Sequence, residues 1–211
     1  MSTSKMYQYL ASLGYAGSLA DKTNAYYADM LVNGGQPDLP AVGEILPDRE
    51  QWVSASANLN SSGSVIFIYF TAKRNEAINT LTMYAGSTPA AATPTLCRLG
   101  VYSVASNGDL TLQASTPNDT TLFAAANTVY PKNLSSTWSK QAGQRYALAV
   151  LVVSATTLPT FCGPAGLTIA AALMAQNPAL CTRLAGQTDL PSNVSAGSLV
   201  GHSFRPGFVI S

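Results

Sequence analysis

The sequence predicts a mainly β protein, an antiparallel β-sandwich preceded by a short N-terminal helical segment and a Pro-rich extended arm. Its most legible stretch is residues 96–115, LCRLGVYSVASNGDLTLQAS, where two runs rich in Val, Leu, Thr and Tyr flank Asn107-Gly108. Asn-Gly supplies the positive φ angles that a tight hairpin turn requires, so two antiparallel strands are expected here. On the first, Cys97, Leu99 and Val101 share one face while Arg98 and Tyr102 share the other; on the second, Leu110, Leu112 and Ala114 oppose Thr111 and Gln113. One face is core and the other faces out. Two further runs, VIFIYFT at 65–71 and RYALAVLVVS at 145–154, are apolar at successive positions and have strand length. In the first, Val65, Phe67 and Tyr69 alternate with Ile66, Ile68 and Phe70, so both faces must be covered. Strand and turn signals recur from Trp52 onward at the spacing of a sandwich.

A chain of 211 residues fits one such domain with an additional segment better than two independent domains. Charged residues make up only 10%, and hydrophobic residues 47%, with Ser, Thr, Asn and Gly filling much of the remainder. The expected surface is neutral and hydroxyl-rich. A formal net charge of +1 and the lack of a basic run leave no electrostatic footprint for nucleic acid or anionic lipid, so neither partner is expected. No uninterrupted apolar run approaches the ~20 residues of a membrane helix, so no membrane insertion is expected and the chain is expected to be soluble. The first residues, MSTSKMYQYLASLGY, lack the apolar core and cleavage site of a signal peptide. Cys97, Cys162 and Cys181 are odd in number and have no CxxC spacing; three free, mostly buried thiols are expected.

Residues 1–32 form an attachment segment in this reading. Residues 4–31 suggest two short helices broken at Gly14-Tyr15-Ala16-Gly17, the second capped by Ser18 with Asp21 three positions on. Tyr7, Leu10 and Leu13, then Leu19, Tyr26, Tyr27, Met30 and Leu31, supply apolar stripes. Helices this short need something to pack on. The β-domain, other copies of the chain and a larger assembly are the alternatives, and Tyr7, Leu10, Leu13, Tyr15, Leu19, Tyr26, Tyr27 and Leu31 are the expected assembly contacts. Residues 33–51 change character, with Gly34-Gly35, Pro37, Pro40 and Pro47 among Asp38, Glu44, Asp48 and Glu50. Proline fixes φ and removes amide donors, so this stretch is a solvated linker or an extended arm lying across a neighbouring subunit.

The β-domain is expected over residues 52–211. Residues 77–85 follow the polar Lys73-Arg74-Asn75-Glu76 turn, with Leu81 and Met83 opposing Thr80, Thr82 and Tyr84. After the hairpin, Thr116-Pro117-Asn118-Asp119 forms a turn, Leu122-Phe123 re-enters the core and 129–134 forms a strand. Residues 167–176 suggest a short Ala-rich helix stopped by Pro178, and FRPGFVIS closes the chain as a strand in which Pro206 argues for an edge or bulge.

The succession TAKRNEAINTL, LCRLGVYSVASNGDLTL, STPNDTTLF, AGQRYALAVLVV and LPTFCG resembles the jelly-roll domain of virion proteins of actinobacterial tailed phages, the minor tail and decoration proteins. The resemblance covers about residues 52–163 and extends more weakly to the C-terminus. YLASLGYAGSLADKTNAYYADML is similar to the short Leu-Gly-Tyr-x-Gly-Ser-Leu-x-Asp helical modules of phage structural proteins. These motifs are packing and turn residues without a catalytic signature. The resemblance implies a jelly roll like that of carbohydrate-binding modules, made in the host cytoplasm and displayed on the virion. A capsid decoration protein on the outer surface is preferred, with the major capsid protein as partner and a homo-oligomer, trimer first, by analogy with decoration proteins at capsid threefold positions. A tail-associated protein binding host cell-envelope glycans is the alternative.

The chemistry legible in the sequence agrees with a non-enzymatic role. His202 is the only histidine, and Gly201-His202-Ser203-Phe204-Arg205 lacks the second glycine of a nucleophile elbow. Turn chemistry explains Asp109 and Asp119 without a glycosidase pair. One histidine and scattered thiols do not make a zinc set, whereas a calcium ion held by Asn118, Asp119 and carbonyls stays open. Gly163-Pro164-Ala165-Gly166 has neither the Lys nor the spacing of a phosphate loop, so no cofactor is expected. A glycan site would stack sugars on outward aromatics, for which Tyr84, Tyr102, Tyr130 and Trp138 are the candidates, with Asn118 or Asn133 bonding hydroxyls. Packing across strands or in a subunit interface is the other role for those rings.

Overall fold

The structure, a computed structural model, describes Ser18 and residues 44–46, 52–59, 61–90, 94–154, 156–164, 175 and 179–211. Two compact units divide the chain, Met1–Ile45 with Ser211, and Leu46–Ile210. The helices expected over 4–31, all eight assembly-contact residues from Tyr7 to Leu31, most of the arm and all but Ala175 of the Ala-rich segment lie outside the described residues. Within the arm, Glu44–Leu46 is a strand, β1.

Twelve further strands follow among the described residues: β2 (Trp52–Asn58), β3 (Val65–Thr71), β4 (Glu76–Tyr84), β5 (Pro94–Val104), β6 (Leu110–Ser115), β7 (Val129–Lys140), β8 (Arg145–Ser154), β9 (Thr160–Pro164), β10 (Cys181–Leu184), β11 (Asn193–Val194), β12 (Val200–Gly201) and β13 (Phe208–Ile210). A seven-stranded sheet has the order β11-β6-β5-β8-β3-β10-β12; a second contains β13-β4-β7, and β2 pairs with β9. The described pairings are antiparallel. The sheets face each other as an antiparallel β-sandwich. Strands β3 with β8, β4 with β7 and β5 with β6 form nested pairs, each inside the last along the chain. Winding such a ribbon over two sheets is the jelly-roll pattern, and it places β8 between β3 and β5 at the centre of the larger sheet.

The alternation in β3 is borne out. Ile66, Ile68 and Phe70 join Leu99, Leu148, Val150, Leu81 and Phe208 in the core between the sheets. Val65, Phe67 and Tyr69 face the other way into a second apolar cluster with Ala147, Ala149, Leu151 and Tyr102. That outer cluster is closed by Leu190 and Val194, with Leu184 and Leu199 packed against it, so residues 184–199 roof the large sheet. Small residues on β8 make room beneath the roof. Ala149 lies opposite Phe67 on one side and Gly100 on the other, and Ala147 lies between Tyr69 and Tyr102. The rings of Phe67 and Tyr102 therefore meet edge to face over the central strand at 5.1 Å. Gly100 belongs to the same fit, because a Cβ there would stand 2.8 Å from Leu190 Cδ1.

The hairpin departs from its expected geometry in two respects. Gly108 has φ +89° but Asn107 is not in the positive-φ region; the Gly108 amide donates to Ala105 O at 2.9 Å and the Ala105 amide to Asp109 O at 2.9 Å. The connection is a three-residue loop, a turn followed by a left-handed glycine, rather than a two-residue Asn-Gly turn. In addition, Tyr102 pairs with Leu112 but Val101 with Ala114, leaving Gln113 as an extra residue. Such a bulge moves the following side chains to the opposite face. Leu110 and Leu112 accordingly pack in the outer cluster with Tyr102, while Ala114 joins the inter-sheet core.

Of the side chains expected to point out, Thr111 and Gln113 are exposed and Arg98 is half-buried, but Tyr102 is interior, 0% exposed with its hydroxyl donating to Pro191 O at 2.8 Å. Trp138 is also corrected: it is 7% exposed, in the inter-sheet core, with its ring 4.7 Å from that of Tyr146. The strand expected over 129–134 continues to Lys140 and turns Leu134 and Trp138, four residues apart, to the same inward face, while an irregularity between Ile78 and Thr80 lets Ile78 as well as Leu81 and Met83 of β4 turn inward. Replacing Tyr102 by Phe should lower stability by about 1 kcal/mol through the lost hydrogen bond. Tyr102→Ala should cost ~3–5 kcal/mol by cavity formation. Urea unfolding measures both, and a surface tyrosine would give changes within about 0.5 kcal/mol.

Candidate functional site

Only four carboxylates occur beyond Glu50, and each is committed to holding two chain segments together. Glu76, at the start of β4, accepts from Arg74 Nε at 3.1 Å and from the fully buried Lys140 Nζ across β7 at 3.1 Å. Burial alone raises its pKa, but the bonds from Arg74 and Lys140 outweigh it and hold Glu76 below the usual carboxylate range. Asp189 takes Arg98 Nη1 on both oxygens at 3.1 Å, tying the roof to β5. Asp109 accepts the Ala196 amide at 2.8 Å and Asn107 Nδ2 at 2.8 Å, bonds that lower its pKa in that order. Asp119 receives Lys132 Nζ as well as the Thr121 amide and hydroxyl.

The same engagement removes the donors considered for calcium. Asn118 Oδ1 accepts the Cys97 amide at 2.9 Å and its Nδ2 donates to Thr95 O at 3.2 Å, so the side chain pins the loop to β5. Among the described residues no group of three His, Cys, Asp or Glu side chains converges on a metal position. The three cysteines are free thiols, with Cys97 and Cys181 buried. Burial pushes both thiols up to about 12, with Asp119 adding to the effect at Cys97 and Arg205 opposing it at Cys181, so neither is a thiolate near neutrality. His202, expected on the surface or in a turn, is buried, its Nδ1 2.6 Å from Phe204 O, and burial lowers its pKa.

Of the expected glycan contacts, Tyr102 and Trp138 are interior. Tyr130 packs edge to face on Phe123 at 5.4 Å, and its hydroxyl accepts the Ala125 amide at 2.6 Å. Tyr84 is half-buried and paired with Val129 at the end of β4. Asn133 is exposed on β7, where Thr80 Oγ1 donates to its Oδ1 at 3.1 Å. These groups do not converge on one site.

A cleft of about 420 Å3 does exist, at one end of the large sheet. Its walls come from the β5–β6 turn (Val104 to Gly108), the turn leading into β8 (Gly143 to Arg145), Tyr69 on β3, Thr182 on β10 and the roof at Ala196 and Leu199. The β5–β6 loop and the roof are fastened to one another there by the bond between Asp109 and Ala196. Arg145, half-buried at the head of β8, lies over the Tyr69 ring at 5.3 Å from its centroid and donates to Ala179 O. The Tyr69 hydroxyl is fixed in turn by Thr182 Oγ1 at 3.0 Å. Burial lowers the Arg145 pKa and Tyr69 opposes the shift; an arginine remains cationic throughout. Burial also raises the Tyr69 pKa, so its phenol stays neutral.

None of the described lining residues is Asp, Glu, His, Cys or Lys. The described cleft can bind through a cation, hydroxyls and amides, but has no side chain to exchange a proton near neutral pH. Sequence reasoning passed over it because Tyr69 and Arg145 occupy ordinary positions in apolar strands. Their only shared signal is register: Thr71 is opposite Arg145, and Tyr69 is two residues along on the same face.

Among the described residues no helix is long and apolar enough to cross a membrane. The ties have a pH signature. Bonds from Lys132 and then Thr121 hold Asp119 at about 2, against roughly 3.9 for a free Asp, so its stabilisation is complete above the unfolded value and is lost as pH falls through about 2. Asp119→Asn should flatten the decline of the urea midpoint between about pH 4 and pH 2 relative to wild type; being partly exposed, the pair contributes under ~1 kcal/mol. Comparison with known proteins gives no family model and no curated protein that matches the chain.

Proposed function

We propose that the chain is a non-enzymatic structural protein of a phage virion. In this reading it is a capsid decoration protein on the outer surface, attached through its N-terminal region and displaying the jelly roll. The observation that carries the non-enzymatic part is the commitment of the β-domain's carboxylates: all four fasten loops and strands, and none lines the cleft. Hydrolysis of a glycoside requires two carboxylates across a cleft, and acyl transfer requires an activated nucleophile. The outer face of β4 and β7 supports display. Ala77, Thr80, Thr82, Asn133 and Ser139 give it a neutral, largely hydroxyl-bearing surface, suited to crowded placement without attraction for polyanions.

The phage assignment rests on the resemblance of TAKRNEAINTL, NGDLTL, STPNDTTLF and the N-terminal module to virion proteins. A homo-oligomer, trimer first, and the major capsid protein as partner belong to the same proposal. The tail-associated glycan-binding alternative loses its expected platform, since Tyr102 and Trp138 are core residues.

Capsids lacking the protein should bind the full chain and co-sediment with it, whereas a chain without residues 1–43, which retains β1 and the jelly roll, should stay in the supernatant. Equal co-sedimentation of the two would remove the attachment role of the N-terminal region, and binding to isolated tails but not capsids would move the protein to the tail.

A further inference from the structure

We infer that the cleft beside the β5–β6 turn binds a carboxylate-bearing saccharide unit, with Arg145 holding the carboxylate and Ser106, Asn107 and Gln144 holding hydroxyls. The inference goes beyond the virion reading and does not depend on it. It starts from the pairing of charges. Arg74 and Lys140 share Glu76, Arg98 holds Asp189, and Lys132 holds Asp119, which leaves Asp109 bonded to Ala196 and Asn107. Arg145 has no carboxylate among the described residues, although it is half-buried and lines a recess of about 420 Å3. The described lining of the cleft contains no Asp or Glu. A partly desolvated guanidinium without a counter-charge favours an incoming anion.

The form of the site narrows the anion. Arg145 is held in place from two sides, by the Tyr69 ring and by Ala179 O, so little rotamer freedom remains to be lost when it pairs. Because it is the only cation in the described lining, a single carboxylate matches it better than a doubly charged phosphate. Around it, the Ser106 hydroxyl and the Gln144 amide have no hydrogen-bond partner among the described residues, and Asn107 gives Asp109 one of its two amide hydrogens. Three neutral polar side chains beside one cation suit a ring bearing hydroxyls and one carboxylate. Val104 and Leu199 offer apolar contact to its C–H face. A volume of about 420 Å3 is of the size that takes a small molecule.

The test is an amide NMR titration of the full chain with D-glucuronate, glucose and acetate. Glucuronate should give saturable shifts at Gly108, Gly143 and Leu199 at millimolar concentration, with glucose and acetate each weaker by about tenfold or more. Arg145→Gln should weaken glucuronate binding by a similar factor, and Arg145→Lys should recover part of it. Because Arg145→Gln also frees Ala179 O and can disturb folding, Ser106→Tyr, on the exposed rim, provides a second variant that fills the cleft without touching the core; it too should abolish the shifts. No saturable response to glucuronate, an equal response to glucose or acetate, or glucuronate binding unchanged in both Arg145→Gln and Ser106→Tyr would overturn the inference.

Discussion

The large sheet is apolar on both faces, and that single constraint organises the domain. Its inner face is closed by the second sheet, through Leu81, Met83, Phe208 and Ile210. Among the described residues no second sheet covers its outer face. It carries Val65, Phe67, Tyr69, Tyr102 and Leu151, too much apolar surface to leave in water, and the chain spends residues 184–199 on covering it. The short strands β10, β11 and β12 belong to this solution. They extend the sheet and anchor the roof at its two edges, through Thr182 opposite Phe67 on one side and Asn193 opposite Thr111 on the other.

Between its short strand pairings the roof depends on side-chain ties, and the scarcity of charge in this chain gives those ties their weight. Arg98 to Asp189, Tyr102 to Pro191 O, Thr111 to Asn193 and Asp109 to Ala196 all join the hairpin to the roof. The hairpin is therefore a fastening rather than a displayed edge. The same spending of polar groups explains why a chemically competent site is hard to find in the β-domain: a carboxylate already bonded to a lysine, arginine or amide is neither a free base nor a metal ligand. Where roof, hairpin and the turn before β8 meet, the described lining holds a cation, hydroxyls and amides but no carboxylate, and there it forms the cleft around Arg145.

The strands with continuous apolar runs were legible because two-sided burial leaves a direct mark on composition. Val65–Thr71 needs both its faces covered, and the structure covers both. Tyr102 and Trp138 were misjudged because amphipathic rings look alike in sequence whether their polar ends meet water or protein. For Tyr102 the deciding partner is Pro191, 89 residues away. The bulge at Gln113 was equally hidden: the alternation Leu110, Leu112, Ala114 suggests one face, and only pairing against Val101 and Tyr102 reveals the slip. The cleft was not legible at all, since its residues come from five separate stretches of chain.

Sequence alone determined the class of the fold and its central strands, because burial on one or both faces dictates a period that residues must obey locally. It also determined the low charge of the chain, which follows from what residue types are present. The tertiary structure decided which face of each strand is solvent and which is covered, that Gly108 rather than Asn107 takes the left-handed position, and that Arg145 has no carboxylate among the described residues. Those are properties of pairs far apart in the chain: whether a side chain is buried, bonded or unsatisfied depends on what arrives opposite it, and register and roof settle that only when the chain closes on itself.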